Sequence, residues 1–164
     1  MKRWLTGIAT GMVMAVNAYA GSTTISLQAS DVGTLHVRGQ IDHTRAVEFL
    51  LDTGSAHVVL SEGTRRELER AGKLTPLRHL RALLANNASV RAPVYRVAEL
   101  DLGEGCVIRN FEAVALPGAR KNILGLSALK RVAPFTVHLD PGRLELTCAP
   151  AAPWASEGAV ASVH

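Results

Sequence analysis

The segment Glu48-Phe49-Leu50-Leu51-Asp52-Thr53-Gly54-Ser55-Ala56-His57-Val58-Val59-Leu60-Ser61 holds the residues best placed for chemistry. One apolar run carries Asp52 into a tight loop and a second apolar run leaves it. A carboxylate at the end of a buried strand is costly unless hydrogen bonds satisfy it. Thr53 and Ser55 offer hydroxyls for that purpose, and Gly54 lets the backbone turn close beside the carboxylate. The chemistry on offer is therefore that of a held carboxylate, an acid or a base. His57 invites a second reading, a Ser55–His57 pair, because residues two apart on a strand share a face. No oxyanion donor or third member accompanies them, and geometry defines such triads, so that reading is rejected. His36, His43, His79, His138 and His164 are scattered and are expected at the surface or in turns.

The other reactive side chains are Cys106 and Cys148. Neither has zinc-ligand spacing, and no pair of histidines sits four apart around a Glu, so no metal is expected. A bridge between the two would staple the last strand to a neighbour. Two free, buried thiols are the alternative, and sequence alone does not show whether their Cβ atoms approach.

The elements that must position Asp52 are mostly short strands. Alternation predicts strands over 34–40 and 46–51 around the turn Asp42-His43-Thr44, and over 57–60 after the Asp52 loop. One substantial helix follows, with Thr64 and Glu67 at capping-box spacing, Leu68, Ala71 and Leu74 facing the core, and Gly72 and Pro76 ending it. Strands over 80–85 and 90–97 flank Asn86-Asn87-Ala88-Ser89, where Asn suits a hairpin turn. A second hairpin joins 99–102 to 106–116 across Gly103-Glu104-Gly105. A short helix is expected over 127–131. The last hairpin runs 135–139 to 144–147, with Asp140-Pro141-Gly142-Arg143 as a type II turn. The sum is an all-β domain with one main and one short helix.

Several of these features together resemble the single-domain, retropepsin-like aspartic proteases. Asp52-Thr53-Gly54-Ser55 lies between apolar strands and ahead of a helix. About 70 residues later, Asn122-Ile123-Leu124-Gly125-Leu126-Ser127-Ala128-Leu129 is similar to the family's second signature. The hairpin at 84–90 has the position of the substrate-covering flap. The closing Phe135-x-Val137-x-Leu139-Asp140 and Leu144-x-Leu146 resemble the bacterial periplasmic members. The resemblance spans about 35–147.

It implies a closed β-barrel, half of an acid protease, that functions as a two-fold dimer. Such enzymes use two carboxylates that share one proton around a water, and this chain has one Asp-Thr-Gly. Asp31, Asp42, Asp101 and Asp140 lack the surrounding pattern. The resemblance thus implies a homodimer in which Asp52 of each subunit meets on the axis. In that arrangement Asp52 is catalytic and Thr53 bonds across the axis. Gly54 turns its N–H, and Ser55 its hydroxyl, toward the carboxylate. Ile123, Leu124 and Gly125 support the loop from below. Asn86, Asn87, Ala88 and Ser89 form the flap tip, with Asn87 where the family commonly has Gly. The implied activity is peptide-bond hydrolysis in peptide or protein substrates, without a cofactor and with an acidic optimum. The rival is a module of the same fold that dimerises or binds extended peptides without cutting them.

The 164 residues suit one domain, and 48% hydrophobic against 20% charged residues can build a core. Aromatics at 4% are too few for a base-stacking platform. The formal charge of +4 includes Lys2 and Arg3, which precede an apolar run over 4–16 and the small-x-small sequence Ala18-Tyr19-Ala20. Residues 1–20 are thus expected to be a cleaved export signal, the run being shorter than the ~20 apolar residues of a membrane span. Removing Lys2 and Arg3 leaves 16 basic against 14 acidic residues, so no nucleic-acid partner is expected. No membrane span should remain. Residues 21–33 are expected as a linker, 34–148 as the domain and 149–164 as a loose Ala- and Pro-rich tail. The destination is the periplasm or the exterior, where a disulfide is permitted.

Overall fold

The computed structural model describes residues 21–84 and 87–148. The expected signal segment, the tail and Asn86 of the flap tip lie outside them.

The chain begins with β1 (Gly21–Ser26) and β2 (Gln28–Ala29), followed by the hairpin β3 (Leu35–Ile41) and β4 (Ala46–Leu51). Asp42 and His43 both take positive φ, at 43° and 58°, and Thr44 N–H donates to the Ile41 carbonyl. Positive φ at both central positions gives the turn a twist that suits the hairpin, whose last pair is Gln40↔Ala46. After the Asp52 loop come β5 (Val58–Leu60) and α1 (Glu62–Arg70). The long hairpin β6 (Thr75–Leu83) and β7 (Ser89–Asp101) leads into β8 (Val107–Ala115). The chain then forms β9 (Asn122–Leu124), α2 (Leu126–Leu129), a 3₁₀ turn at Lys130–Val132, β10 (Phe135–Leu139) and β11 (Gly142–Cys148).

Eight strands lie in the order β2-β3-β4-β9-β5-β8-β7-β6, and β3 also pairs with β7 through Gln40↔Asp101 and Ile41↔Leu100. That extra pairing closes a six-stranded barrel, leaving β2 and β6 as flanking edges. The fold is therefore all-β and closed, as the resemblance implies. Alternation sends Val37 and Ile41 of β3 and Val47 and Phe49 of β4 inward, where they meet Leu60, Leu68, Val97, Leu100 and Leu124. A second sheet, β1-β11-β10, covers the barrel and adds Ile25, Leu144 and Leu146 to the same core.

Four expectations change. Residues 21–33 are not a linker: β1 pairs along its whole length with β11, from Gly21↔Cys148 to Ser26↔Arg143. The N-cap of α1 is Ser61, whose hydroxyl accepts the Thr64 N–H at 3.2 Å, so the helix starts before the expected Thr64/Glu67 box. Ser61 is held there because its own N–H donates to Asn122 Oδ1 at 2.8 Å. Glu67 instead accepts from Arg45, and Ala71 is an exposed C-cap rather than a core residue. In the last hairpin Leu139 pairs with Gly142, which makes Pro141 the third turn residue and starts β11 at Gly142, so the type II turn is not formed. The expected end of α1 holds, with Gly72 left-handed at φ 68°.

Cys106 and Cys148 form a disulfide across 42 positions of sequence, resolving the open choice in favour of the bridge. It pins the end of the central strand of the small sheet to the turn before β8.

Candidate active site

Asp52 follows the last residue of β4, and its N–H still donates to the Leu124 carbonyl at 3.2 Å. It therefore sits one step beyond the Leu51↔Leu124 pair. Its Oδ1 accepts the Gly54 N–H at 2.8 Å, as expected, and its carbonyl accepts the Ser55 N–H. Gly54 has little room for a side chain, since a Cβ there would meet that carboxylate at 3.1 Å. The Ser55 hydroxyl does something other than expected: it donates to the His57 carbonyl at 2.9 Å and not to Asp52. Ser55 supports the loop by closing it on itself. Thr53 is exposed, and its hydroxyl has no partner among the described residues.

The second signature holds this loop from beneath. β9 lies between β4 and β5, parallel to the first and antiparallel to the second, so Ile123 is flanked by Leu50 and Val59. Gly125 then packs directly on the loop. A Cβ at that position would lie 2.2 Å from the His57 carbonyl oxygen and 2.7 Å from that of Ser55. Only glycine permits this approach. It lets Leu126 N–H reach the Ser55 carbonyl at 2.8 Å and Ser127 N–H the Ala56 carbonyl at 3.0 Å. Three polar contacts by Asn122 and Ser127, which belong to the second signature but have no individual part in the sequence reading, complete the clamp. Val58 N–H donates to the Ser127 hydroxyl at 3.0 Å, and buried Asn122 accepts from Ser61 while donating to the Glu48 carbonyl. Their signal in the sequence is a polar residue on each side of an apolar Ile-Leu-Gly.

The register also aligns a row of apolar side chains on the barrel face that carries Asp52. Leu50, Ile123, Val59, Val114 and Val94 are successive cross-strand partners over β4, β9, β5, β8 and β7. Asp52 follows Leu50 by two residues and its N–H continues the β4–β9 ladder, so the alternation of the strand brings it to that face. The row ends under the β6–β7 hairpin, where Ala92, Val94 and Val114 pack with Leu77, Leu80 and Leu116. At the hairpin tip, Asn87 takes φ 61°, its N–H donates to the Leu84 carbonyl, and the Ala88 carbonyl accepts from Leu84. Asn thus fills the left-handed position where glycine is common. Ser89 pairs with Leu83 to open β7. An exposed two-pronged ion pair, Arg78 to Glu112 at 2.8 and 2.6 Å, ties β6 to β8 across β7 at the base of the hairpin. It holds the Glu112 carboxyl below its usual range. Among the described residues no His, Cys, Asp or Glu side chains gather as a metal-binding group, and no helix is long and apolar enough to cross a membrane.

A carboxylate at a strand end, beside an apolar row beneath a hairpin, matches what the comparisons with known proteins return. The profile of the family described as "gag-polyprotein putative aspartyl protease" matches residues 37–131. The chain belongs to this aspartyl protease family. The crystal structure of a retropepsin-like aspartic protease from Rickettsia conorii superposes with a TM-score of 0.55 at 19% identity. The alignment covers 79% of this chain and 93% of that one. No curated protein sequence matches. The protein is an aspartic-type endopeptidase with a retropepsin-like fold, as its barrel, its Asp-Thr-Gly loop and its hairpin lead one to expect.

Proposed function

We propose that the endopeptidase works as a two-fold homodimer in which the Asp52 carboxylates of both subunits activate one water against a peptide bond. The observation that carries this is the half-satisfied Asp52. Gly54 holds one of its oxygens at 2.8 Å, and the loop that carries it is clamped from beneath by the close approach of Gly125. One Asp-Thr-Gly per chain supplies one carboxylate, and the shared-proton chemistry needs two. In the pair, one carboxylate takes a proton from water as the other donates to the scissile carbonyl. Like charges side by side resist joint ionisation, so the dyad keeps its single proton on the acidic side of neutrality. Thr53, exposed and without a partner among the described residues, would bond across the axis.

Leu50 and Ile123, the partly exposed end of the apolar row beside Asp52, would receive an extended substrate, with the β6–β7 hairpin closing over it. Export fits the disulfide, since oxidising compartments preserve such bonds. It would leave Gly21, the first residue of β1, as the new amino terminus.

The test is cleavage of an unfolded protein by chain 21–164 across the acidic to neutral range, beside Asp52→Asn. Activity that rises with the square of enzyme concentration when dilute, and is lost in the variant, supports the dimeric dyad. Activity strictly proportional to concentration down to a demonstrated monomer would overturn it. A folded dimer that cuts nothing at any pH would reassign the groove to peptide binding.

A further inference from the structure

The cavity at the Leu50 end of the apolar row differs in chemistry from the rest of the groove. It measures about 470 Å³ and is walled by Ala29, His36, Glu48, Leu50, Arg120 and Lys121. Leu50 is two residues before Asp52 on the same face, which places the cavity one side-chain step, about 7 Å along a strand, from the catalytic carboxylate. Same-face side chains of an extended peptide repeat at that interval, so a bound chain whose scissile bond lies at Asp52 puts a neighbouring side chain into this cavity.

Its floor is polar. His36 is only 8% exposed, with Nε2 within 3.0 Å of the Thr34 hydroxyl and Nδ1 3.8 Å from Glu48 Oε2. The Thr34 hydroxyl is in turn 2.7 Å from the Ser30 hydroxyl. His36 was expected at the surface; β2 and the Thr34 and Glu48 side chains bury it. Neither Arg120 nor Lys121 has a hydrogen bond or ion pair among the described residues, unlike Arg78, which is bound to Glu112, and Arg65, bound to Glu69; Arg81 and Arg91, opposite each other on the hairpin, have none among them either. With Glu48 facing His36, the formal balance of the cavity is one positive charge.

We infer that this cavity is a specificity subsite for an acidic side chain, and that Arg120 and Lys121 select substrates carrying Asp or Glu beside the scissile bond. A cationic wall free of partners gains from an incoming carboxylate and repels Lys or Arg. Leu50 and Ala29 supply apolar contact for the methylenes of the side chain. Beside it, partly exposed Ile123 offers apolar contact to the neighbouring position. The preferred substrate is thus an extended segment with an acidic residue next to apolar ones. The inference rests on the protease reading, because it takes the scissile bond to lie at Asp52.

The experiment separates the two. Short peptides of an Ala-Val scaffold, carrying Glu, Gln, Leu or Lys at each position in turn, are offered to chain 21–164 for cleavage. The same peptides are titrated onto Asp52→Asn by fluorescence anisotropy. The expected result is a preference for Glu over Lys at one position, in kcat/KM and in Kd alike. In Arg120→Glu/Lys121→Glu it should fall by roughly tenfold, the scale of two partly exposed charge contacts, or invert in sign. Both residues are exposed, so the double variant should fold, which circular dichroism checks. Cleavage or binding without a Glu preference, or one unmoved by the double substitution, overturns the subsite. Peptide binding with the charge preference but no cleavage by the wild-type chain retains the subsite and overturns the protease reading instead.

Discussion

Gly125 and the His57 carbonyl are in such close approach that a single added methyl group cannot fit between them. A Cβ on Gly125 would lie 2.2 Å from the carbonyl oxygen, and the obstructing atoms are backbone, which cannot swing aside. Gly125→Ala should therefore push α2 away from the Asp52 loop and weaken the bonds from Leu126 and Ser127. The expected cost is about 3 kcal/mol or more, at the upper end for overpacking a rigid site, with loss of cleavage. Gly63→Ala is the control: its Cβ would find nothing nearer than Ser61 Oγ at 4.0 Å, and it lies inside α1. That change should be neutral or stabilising by up to about 1 kcal/mol. Urea midpoints distinguish the two variants, and equal midpoints would remove the argument for the close contact.

The Cys106–Cys148 bridge connects the two sheets through residues 42 apart in sequence. Closing a loop of that length in the unfolded chain corresponds to about 4 kcal/mol in the chain-entropy account. Without the bridge the small sheet keeps its hydrogen bonds and the Leu144 and Leu146 contacts, so Cys106→Ser/Cys148→Ser should still fold. Its unfolding midpoint should drop markedly, and hydrogen exchange in β1 and β11 should accelerate before exchange in β4 or β9. Uniform acceleration throughout the barrel would show that the two sheets unfold as one unit.

Much of the site was legible in the sequence because its determinants are local. Asp52 stands between two apolar runs, Gly54 answers to the turn, and Ile123-Leu124-Gly125 is an apolar pair followed by a residue that must lack a side chain. The left-handed Asn87 was readable from Asn chemistry alone. What escaped is set by pairing over long separations. Gly21-Ser22-Thr23-Thr24-Ile25-Ser26 has one large apolar residue and no alternation to speak of, and is a strand because β11 lies beside it. Pro76 reads as a stop after α1, yet it belongs to β6, an edge strand where a missing N–H is tolerated. The cap at Ser61 depends on Asn122, some 60 residues away in sequence. The burial of His36 likewise depends on β2 and Glu48.

Thr53 is exposed beside Asp52 with no partner among the described residues. If the dyad forms on a two-fold axis, Thr53 lies beneath it, and removing its hydroxyl takes a bond from each subunit. Thr53→Val keeps the branched shape, so the monomer should be as stable as wild type. Its dimer dissociation constant should rise by about tenfold, as expected for two modest hydrogen bonds. Sedimentation equilibrium reads that constant, and an unchanged value would place Thr53 outside the interface.

Under the proposed dyad the hairpin over the groove would have to stay attached at acidic pH, and Glu112 is suited to that. Hydrogen bonding to Arg78 lowers its pKa first, opposed by some burial, with smaller help from the charges of Arg78, Arg96 and His57. A carboxylate whose folded value is depressed contributes stability above its unfolded value and loses it as pH falls through the folded one. The Arg78–Glu112 tie should thus persist below the usual carboxylate range and fail only in stronger acid. Its effect is modest, because both side chains are about half exposed and salt screens them. Hydrogen exchange of β6 amides should show a step in protection at that low pH in wild type, shrinking in high salt. Glu112→Gln should exchange faster above the step and show no step of its own. A step at the same pH in both proteins would assign the transition to another group, and the tie between β6 and β8 would have no part in holding the hairpin down.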